Sequence, residues 1–207
     1  ITRMAFQLEN LIKLEQHSPE TLLSLQQMLK DVFQLSDLTN SLLLLTKFDK
    51  ENIQNIFEDV RIDEVIFEAF DSVKKSYPSL KMDFQISEET DENAFLTVPG
   101  VASLLNIVFI NLLKNAAIYS DDSQADILIK ENKHILSVEV LSKGDTISSE
   151  DRLKLFEAFK RGQNSQNIGG SGLGLRIVKR ILEYHNAQIS YTSPEDHLNV
   201  FVLNFKK

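Results

Sequence analysis

The 207-residue chain contains no cysteine, and this absence excludes several kinds of chemistry. Without thiols the protein has no disulfide, no thiolate ligand for a metal ion and no cysteine nucleophile, as is typical of a reducing compartment. Tryptophan is absent too, and glycine is sparse, with only seven residues. A cluster of glycines is therefore informative wherever it occurs.

Basic residues are fewer than acidic ones. The chain has 22 basic and 30 acidic side chains, which give a net charge of −8. Nucleic acids and anionic membrane surfaces bind basic patches, so we expect no nucleic-acid partner.

Long apolar runs are missing as well. The longest candidate, 104–113, is interrupted by Asn106 and Asn111 and falls short of the roughly 18 residues that indicate a membrane span. The sequence begins with Ile1 and has no signal peptide, which favours a fragment of a longer protein. We expect any membrane anchor to lie in upstream segments.

Apolar residues recur at steps of three and four through residues 1–48, which predicts helices. The repeat is interrupted near residue 17, where Ser18 suits an N-cap and Pro19 the first helical position. This short break predicts an antiparallel helical hairpin. Its apolar stripe needs a cover, and we predict a homodimer through residues 1–48 that forms a four-helix bundle. Packing of the stripe against the rest of the same chain is the alternative.

A polar, charged segment over 47–55 separates the hairpin from the rest of the chain. We therefore predict a hairpin domain at 1–50 and a second domain at 58–207. Strands are predicted at 57–62, 82–86, 95–98, 127–130, 135–141, 188–192 and 198–205. Helices are predicted at 63–76, with Asp63 as the cap, and at 101–119, 149–159 and 173–184. Because the two element types do not alternate strictly, we expect an α+β fold, with a mixed sheet and helices on one face.

Residues 169–175 read GGSGLGL and hold four of the seven glycines. Glycines let the backbone approach a ligand closely, and this loop opens into a predicted helix whose first N–H groups suit a phosphate. The spacing matches neither a P-loop nor a dinucleotide fingerprint. A flexible linker is the alternative, although the apolar Leu173 and Leu175 between the glycines argue against it.

Two asparagines lie one turn apart in the predicted long helix. Asn111 and Asn115 are spaced i,i+4, so their amides share one face, while Leu112, Leu113 and Ala116 face the core. An amide oxygen is a hard ligand that suits Mg²⁺ beside phosphates. Two amides that bond only water or neighbouring groups are the alternative.

Residues 156–161 read FEAFKR and come just before the glycine loop. Phe156 and Phe159 could pin a mobile segment to the core, and Lys160 and Arg161 place positive charge where a phosphate tail could reach it. A helix end with basic residues near its C-terminal dipole is the alternative.

Together these motifs resemble the catalytic core of sensor histidine kinases. NLLKNA at 111–116 is similar to the family's N box, FEAFKR to its F box and GGSGLGL to its G2 box. Residues 1–48 resemble the dimerisation and histidine-phosphotransfer hairpin. Residues 58–207 resemble the Bergerat-type ATP-binding domain, an α/β sandwich shared with gyrase and heat-shock-chaperone ATPases.

The resemblance implies a role for each matching position on the predicted long helix. Asn115 would coordinate Mg²⁺, with Asn111 nearby toward the phosphates, and Tyr119 would line the pocket for ATP. The family often has a lysine where this chain has Ile118, so one phosphate-facing cation is lost, with Lys114 as a neighbouring cation.

The resemblance also implies a lid over residues 160–171. Arg161 would reach the terminal phosphate from this lid, while glycine backbones would contact the phosphates. The loop residues that we assign to the ATP site are Gly170, Gly172, Leu173, Gly174 and Leu175.

The stretch VLSKGDTI at 140–147 departs from the family pattern. The family's G1 box reads Asp-x-Gly-x-Gly, and its aspartate accepts a hydrogen bond from the adenine amino group. Here Ser142 stands at the aspartate position and Thr146 at the second glycine, while Gly144 keeps the first glycine and Ile147 the pocket wall. Because a hydroxyl lacks the charge of a carboxylate, we expect roughly tenfold weaker binding of ATP.

The phosphoacceptor histidine is expected upstream of Ile1, so this fragment is not expected to autophosphorylate. We expect His17 to be a solvated residue of the hairpin turn. The remaining histidines are predicted to have no acidic or metal-spaced neighbour: His134, His185 and His197.

The implied function is that of the cytoplasmic core of a bacterial inner-membrane sensor kinase. It would bind Mg-ATP and pass the γ-phosphoryl to the upstream histidine and then to an aspartate of a response regulator. One alternative is a nucleotide-impaired module that acts as a response-regulator phosphatase or scaffold. Another is a different Bergerat ATPase, such as an anti-sigma-factor kinase, against which the long hairpin argues.

Overall fold

The computed structural model describes residues 2–14, 17–29, 32, 39, 54–88, 90, 96–157 and 172–207. Helix α1 spans Thr2–Ile12, and helix α2 is described over 19–29. Ser18 caps α2, since its Oγ accepts a hydrogen bond from the Thr21 N–H at 3.2 Å. The predicted helix start is therefore confirmed, while most of the predicted helix beyond residue 29 lies outside the described residues.

The described residues between 2 and 29 expose many apolar side chains. Ala5 is buried, but the larger exposed ones are Met4, Phe6, Leu11, Leu14, Leu23 and Met28. An apolar surface of this kind is typical of an interaction site. The homodimer that we expect from this stripe stays a prediction.

Among the described residues, seven strands build the sheets of the second part of the chain. β1 (Glu58–Arg61) and β3 (Thr97–Gly100) form a two-stranded antiparallel ribbon. The main sheet has the order β2-β4-β5-β7-β6. Its strands are β2 (Lys81–Ile86), β4 (Gln124–Glu131), β5 (Ile135–Lys143), β6 (Gln188–Thr192) and β7 (Leu198–Lys206). β2 and β4 pair in parallel and the other neighbours pair antiparallel, so the sheet is mixed, as predicted.

Three helices pack on the inner face of the main sheet. They are α3 (Ile62–Ser76), α4 (Ala102–Tyr119) and α6 (Gly174–Tyr184), and the buried side chains of all three join those of the sheet in one core. α4 contacts both α3 and α6 and is therefore the central helix of this layer. The predicted α+β architecture, with helices on one face of a mixed sheet, is confirmed.

α4 is the helix that shapes the interior of this domain. Among the described residues, it alone is long and apolar enough to cross a membrane by composition, with a mean hydropathy of 1.4. Seven of its side chains are buried, including Leu112, Leu113 and Ala116, which confirms the predicted inward face. Its apolar character is explained by burial between two helices and a sheet.

Alternation along the strands places a polar corner at one end of the inner face. The inner face of β5 is apolar as far as Val140, which lies opposite Phe201 of β7. Because side chains alternate along a strand, the next inner positions are Ser142 and Asn199, and these two are paired in the register.

The predicted cap of α3 is wrong. The extended backbone of Arg61 leads directly from β1 into the helix, and no side chain of the described residues caps its first turn. Asp63 lies inside that turn and accepts a hydrogen bond from Arg61 Nε at 3.1 Å. Its carboxylate is therefore engaged by the preceding arginine and does not bond the backbone N–H groups.

Two predicted element boundaries are also wrong. The helix expected over 149–159 is only α5 (Ser149–Arg152), because the chain continues in tight turns such as the Glu157 N–H to Lys154 carbonyl bond. The strand expected at 95–98 is displaced to Thr97–Gly100, since the pairing with β1 sets its extent.

Candidate functional site

Asn111 and Gly174 bring the long helix and the glycine loop into contact. A Cβ placed on Gly174 would lie 2.7 Å from Asn111 Oδ1, so this amide rests on the glycine backbone at the start of α6. Asn111 Nδ2 donates a hydrogen bond to the Ile107 carbonyl at 2.8 Å, which fixes the orientation of the amide. Two motifs that are far apart in the sequence are therefore adjacent in the fold.

Gly144 packs against the C-terminal end of α4. A Cβ on Gly144 would lie 2.4 Å from the Tyr119 carbonyl oxygen, a distance that no side chain tolerates. Hydrogen bonds hold this junction, since the Asp121 N–H bonds the Lys143 carbonyl and the Gly144 N–H bonds the His197 carbonyl, both at 2.9 Å. The glycine is required here by a close approach of two backbones.

Ser142 lies at the polar corner of the inner sheet face, beside Asn199. It belongs to β5, two residues before the turn at Gly144, and is partly buried. A strand holds its side chain in a fixed direction. A hydroxyl therefore stands where the resemblance expects the adenine-reading carboxylate.

Side chains from β6 and β7 hold the backbone of the loop that follows β5. Asn199 Nδ2 donates to the carbonyl of Gly144 at 3.1 Å and to that of Asp145 at 3.4 Å. The Ile147 N–H donates to Tyr191 Oη at 3.0 Å, and Tyr191 O–H donates to Asn199 Oδ1 at 2.7 Å.

Arg152 of α5 completes this network. Its Nε donates to the Ile147 carbonyl at 2.8 Å, and its guanidinium lies 5.2 Å from the centre of the Tyr191 ring. Ser148 caps α5 by accepting a hydrogen bond from the Asp151 N–H, which places Arg152 back over the loop.

The sequence analysis did not identify Tyr191, Asn199 and Arg152 as residues near the site. One signal was present in the sequence. Asn199 lies on the inner face of β7, and the next residue on that face, Phe201, is apolar. A buried amide must find hydrogen-bond partners, so its position indicates a nearby backbone that needs support.

The start of α6 follows a left-handed turn. Gly172 has a φ of 67°, the buried Leu173 follows, and among the described residues no side chain caps the helix that begins at Gly174. The first N–H groups of a helix and its dipole favour an anion. Leu175 is partly buried against the core, so this end of the loop is anchored and is not a free linker.

The lid predicted over 160–171 lies outside the described residues, together with Arg161 and Gly170. The preceding segment is described as far as residue 157. In it, the Phe156 ring centre lies 5.9 Å from Lys179 Nζ of α6, so this segment lies beside the helix that the glycine loop opens.

Asn115 lies one turn beyond Asn111 and is partly buried. Within the described part of the chain, its amide has no hydrogen bond, and the Lys114 ammonium forms no ion pair. A free amide oxygen on this face fits the hard oxygen ligand that Mg²⁺ prefers. The described residues contain no group of three or more histidine, cysteine or acidic side chains that could hold a metal ion by themselves.

His185 joins the start of α4 to the end of α6. Its Nε2 accepts a hydrogen bond from the Val101 N–H at 3.0 Å, and its Nδ1 donates to the Ile181 carbonyl at 2.7 Å. The Phe57 ring stacks on it, with centres 5.1 Å apart. Burial lowers the pKa of His185, which matches a neutral ring that donates once and accepts once.

Two further histidines differ from their expected surroundings. The prediction that His197 has no acidic neighbour is wrong, since Asp145 Oδ1 lies 3.9 Å from its Nδ1. Both side chains are exposed, so this ion pair contributes little to the stability of the fold. His17 is not simply solvated, because its Nε2 donates to the Leu11 carbonyl at 2.6 Å, near the end of α1.

Comparison with curated proteins identifies relatives among sensor kinases. The heme sensor protein HssS of Staphylococcus saprophyticus is 28% identical over 175 residues, which are 84% of this chain and 36% of that protein. The signal transduction histidine-protein kinase ArlS of Staphylococcus haemolyticus is 30% identical over 187 residues, 88% of this chain and 40% of that protein. The chain thus spans less than half the length of these relatives.

Solved structures share the fold. Full-length ShkA in complex with AMPPNP has a TM-score of 0.70 at 18% identity, over 98% of this chain and 41% of that chain. The mycobacterial sensor histidine kinase MprB has a TM-score of 0.62 at 22% identity, over 72% of this chain and 97% of that chain. These histidine-kinase structures establish the Bergerat-type ATPase fold for the second part of the chain.

A family model covers just over half of the chain. Residues 100–207 match the model described as "Histidine kinase-, DNA gyrase B-, and HSP90-like ATPase". This range includes α4, the loop after β5 and the start of α6, which are the three elements that meet at the site. The chain therefore belongs to the histidine kinase-, DNA gyrase B- and HSP90-like ATPase family.

Proposed function

We propose that the chain is the core of a two-component sensor histidine kinase, with an ATP-binding domain at 58–207 and a hairpin domain at 1–50. The observation that carries the proposal is the contact between Asn111 and Gly174. Each of the two motifs is ambiguous alone, but a polar helix face against a glycine-rich helix start places backbone N–H donors for a phosphate beside a hard oxygen ligand.

The adenine base is proposed to lie at the loop that follows β5. Ser142 accepts the hydrogen bond of the adenine amino group, while Tyr119 and Ile147 form walls of the pocket. The backbone approach at Gly144 supports this arrangement, since it holds the loop against α4, which carries Asn111.

The phosphates are proposed to lie at the start of α6. The N–H groups around Gly172 and Gly174 bind them, and Lys114 adds positive charge from α4. Asn115 holds Mg²⁺, which neutralises charge on the phosphates when it is bound. Among the described residues the amide of Asn115 has no hydrogen-bond partner, which supports this role.

Further contacts are proposed for the glycine-loop and lid residues of this region. Leu173 and Leu175 anchor the glycine loop to the core. Arg161 reaches the terminal phosphate, and Gly170 contributes backbone N–H groups to the phosphate site.

The proposed reaction transfers the γ-phosphoryl to a histidine upstream of Ile1 and from there to an aspartate of a response regulator. His185 is unsuited as the acceptor, because its ring is buried and both nitrogens are bonded. We propose that the chain dimerises through residues 1–48, which the exposed apolar side chains of this region support. We also propose that it forms the cytoplasmic part of a bacterial inner-membrane protein, since its relatives include a heme sensor protein and a signal transduction histidine-protein kinase.

Calorimetric titration with Mg-AMPPNP tests the nucleotide site. We expect wild-type protein to bind, and Asn115→Ala to lose most of the Mg²⁺-dependent part of the affinity. Asn106→Ala is the matched control, because Asn106 lies on the same helix and its amide bonds Glu68 at 3.4 Å instead of the recess. Absence of binding at millimolar nucleotide would refute the proposal.

The nucleotide-impaired alternative rests on one observation, the hydroxyl of Ser142 in place of a carboxylate. Ser142→Asp tests it, and we expect affinity for Mg-AMPPNP to rise about tenfold, because an ionised acceptor forms a stronger hydrogen bond. A wild-type protein that binds only weakly and recovers through Ser142→Asp favours the phosphatase or scaffold role. Equal and tight binding by both proteins contradicts it.

A further inference from the structure

Tyr191 and Asn199 belong to none of the sequence motifs that define the nucleotide site, yet they contact the loop proposed to receive the base. Both point from the inner face of the sheet, where Tyr191 packs on Phe201 with ring centres 5.3 Å apart. Asn199 is 9% exposed and Tyr191 is partly buried. Polar groups at such positions are stable only when they are hydrogen-bonded.

Hydrogen bonds join the two side chains to each other and to the backbone of the loop. Tyr191 O–H donates to Asn199 Oδ1, which leaves Asn199 Nδ2 to face the carbonyls of Gly144 and Asp145. The Tyr191 oxygen then accepts the Ile147 N–H. This direction of donation is forced, because a backbone N–H only donates and a backbone carbonyl only accepts.

The network fixes both ends of the loop. Gly144 is held by Asn199, and Ile147 is held by Tyr191 through its N–H and by Arg152 through its carbonyl. All of these bonds join groups of the protein itself, so the loop is supported by its own chain and does not depend on contacts with a ligand. Preorganisation of this kind raises affinity by removing the entropy loss of ordering on binding.

We infer that Tyr191 and Asn199 are positioning residues for the base of the nucleotide, and that they set affinity through the loop 144–147 without touching the ligand. The inference rests on the proposed nucleotide site. It predicts that removing one hydroxyl or one amide weakens binding while the fold and the phosphate contacts persist.

The first test is Tyr191→Phe, which keeps the ring on Phe201 and removes the bonds to Ile147 and Asn199. Calorimetry of the full chain with Mg-AMPPNP and with Mg-ADP measures the effect. We expect both affinities to fall about tenfold, because a part-buried N–H loses its partner and the loop becomes mobile. The ratio of the two affinities should stay constant, since the base is common to both ligands.

Tyr184→Phe is the matched control. Tyr184 is buried at the far end of α6, and its hydroxyl accepts a hydrogen bond from Arg180 Nε at 3.0 Å. Both variants remove one tyrosine hydroxyl, so their midpoints of thermal unfolding should shift by similar amounts. Only Tyr191→Phe should weaken nucleotide binding.

Asn199→Asp supplies a second test with an isosteric side chain. The carboxylate still accepts from Tyr191, but it faces the carbonyl oxygens of Gly144 and Asp145 without a donor. We expect Asn199→Asp to lose at least as much affinity for Mg-AMPPNP as Asn199→Ala does. A packing role alone would leave the affinity of the isosteric variant close to that of wild type.

The outcomes separate this inference from the proposed function. Wild-type protein that binds neither nucleotide refutes both. Wild-type binding that is unchanged in Tyr191→Phe and Asn199→Asp overturns the inference alone, and so does an equal loss in Tyr184→Phe.

Discussion

Replacement of Gly144 by alanine is expected to damage both stability and nucleotide binding. The added Cβ would lie 2.4 Å from the Tyr119 carbonyl oxygen, about 1 Å short of the 3.4 Å at which ordinary contact begins. Neither backbone moves freely, because Gly144 bonds His197 and the adjacent Lys143 bonds Asp121, both at 2.9 Å. The strain is therefore relieved only by breaking hydrogen bonds or by shifting the loop.

Overpacking of a tight contact costs about 1–3 kcal/mol, and a lost backbone hydrogen bond adds roughly 1 kcal/mol. We expect Gly144→Ala to lower the free energy of unfolding by about 2–4 kcal/mol and to weaken Mg-AMPPNP binding as well. Urea denaturation measures the first effect and calorimetry the second.

Asp145→Ala is the control for this experiment. Asp145 is an exposed neighbour of Gly144 in the same loop, and its ion pair with His197 contributes little to stability. If Gly144→Ala unfolds at the same urea concentration as Asp145→Ala, the two backbones are not in close contact and the reasoning fails.

Two further predictions concern the helices. Burial lowers the pKa of His185, so below about pH 6.5 the unfolded chain takes up a proton that the folded chain does not. The stability that the neutral ring contributes is therefore present above that pH and is lost as the pH falls. His185→Leu should unfold earlier than wild type at pH 8 in urea, with a difference that narrows toward pH 5; a constant difference would contradict the buried neutral ring. Leu23 is 72% exposed on α2, and Leu23→Glu should convert a dimer into a monomer in light scattering while nucleotide affinity is kept. A variant that stays dimeric would place the interface elsewhere.

Local patterns were sufficient for most of the secondary structure. The long apolar run over 101–119 correctly predicted a helix, on which the i,i+4 spacing of Asn111 and Asn115 places both amides on one face, because helical periodicity is a property of neighbours in the chain. The start of α2 at Ser18 was predictable for the same reason, since a cap acts within three residues.

Predictions failed where a contact outside the local segment determines the boundary or the cap of an element. The helix after Ser148 ends early at Arg152, whose Nε bonds the Ile147 carbonyl. The boundaries of β3 follow its pairing with β1, so its apolar content alone did not predict them. Asp63 was a good cap by composition but is engaged by Arg61.

Local sequence patterns identified the candidate motifs and their expected chemistry: the asparagine pair of α4, the glycines at the start of α6 and the unusual Ser142 near the end of a strand. Only the tertiary structure decided which of these meet, because contacts such as Asn111 with Gly174 join positions that are distant in the chain. It also revealed Tyr191 and Asn199, whose role depends on the register of β6 and β7. Side chains that act through a backbone far away in the sequence carry no local pattern, and the fold alone brings them to the site.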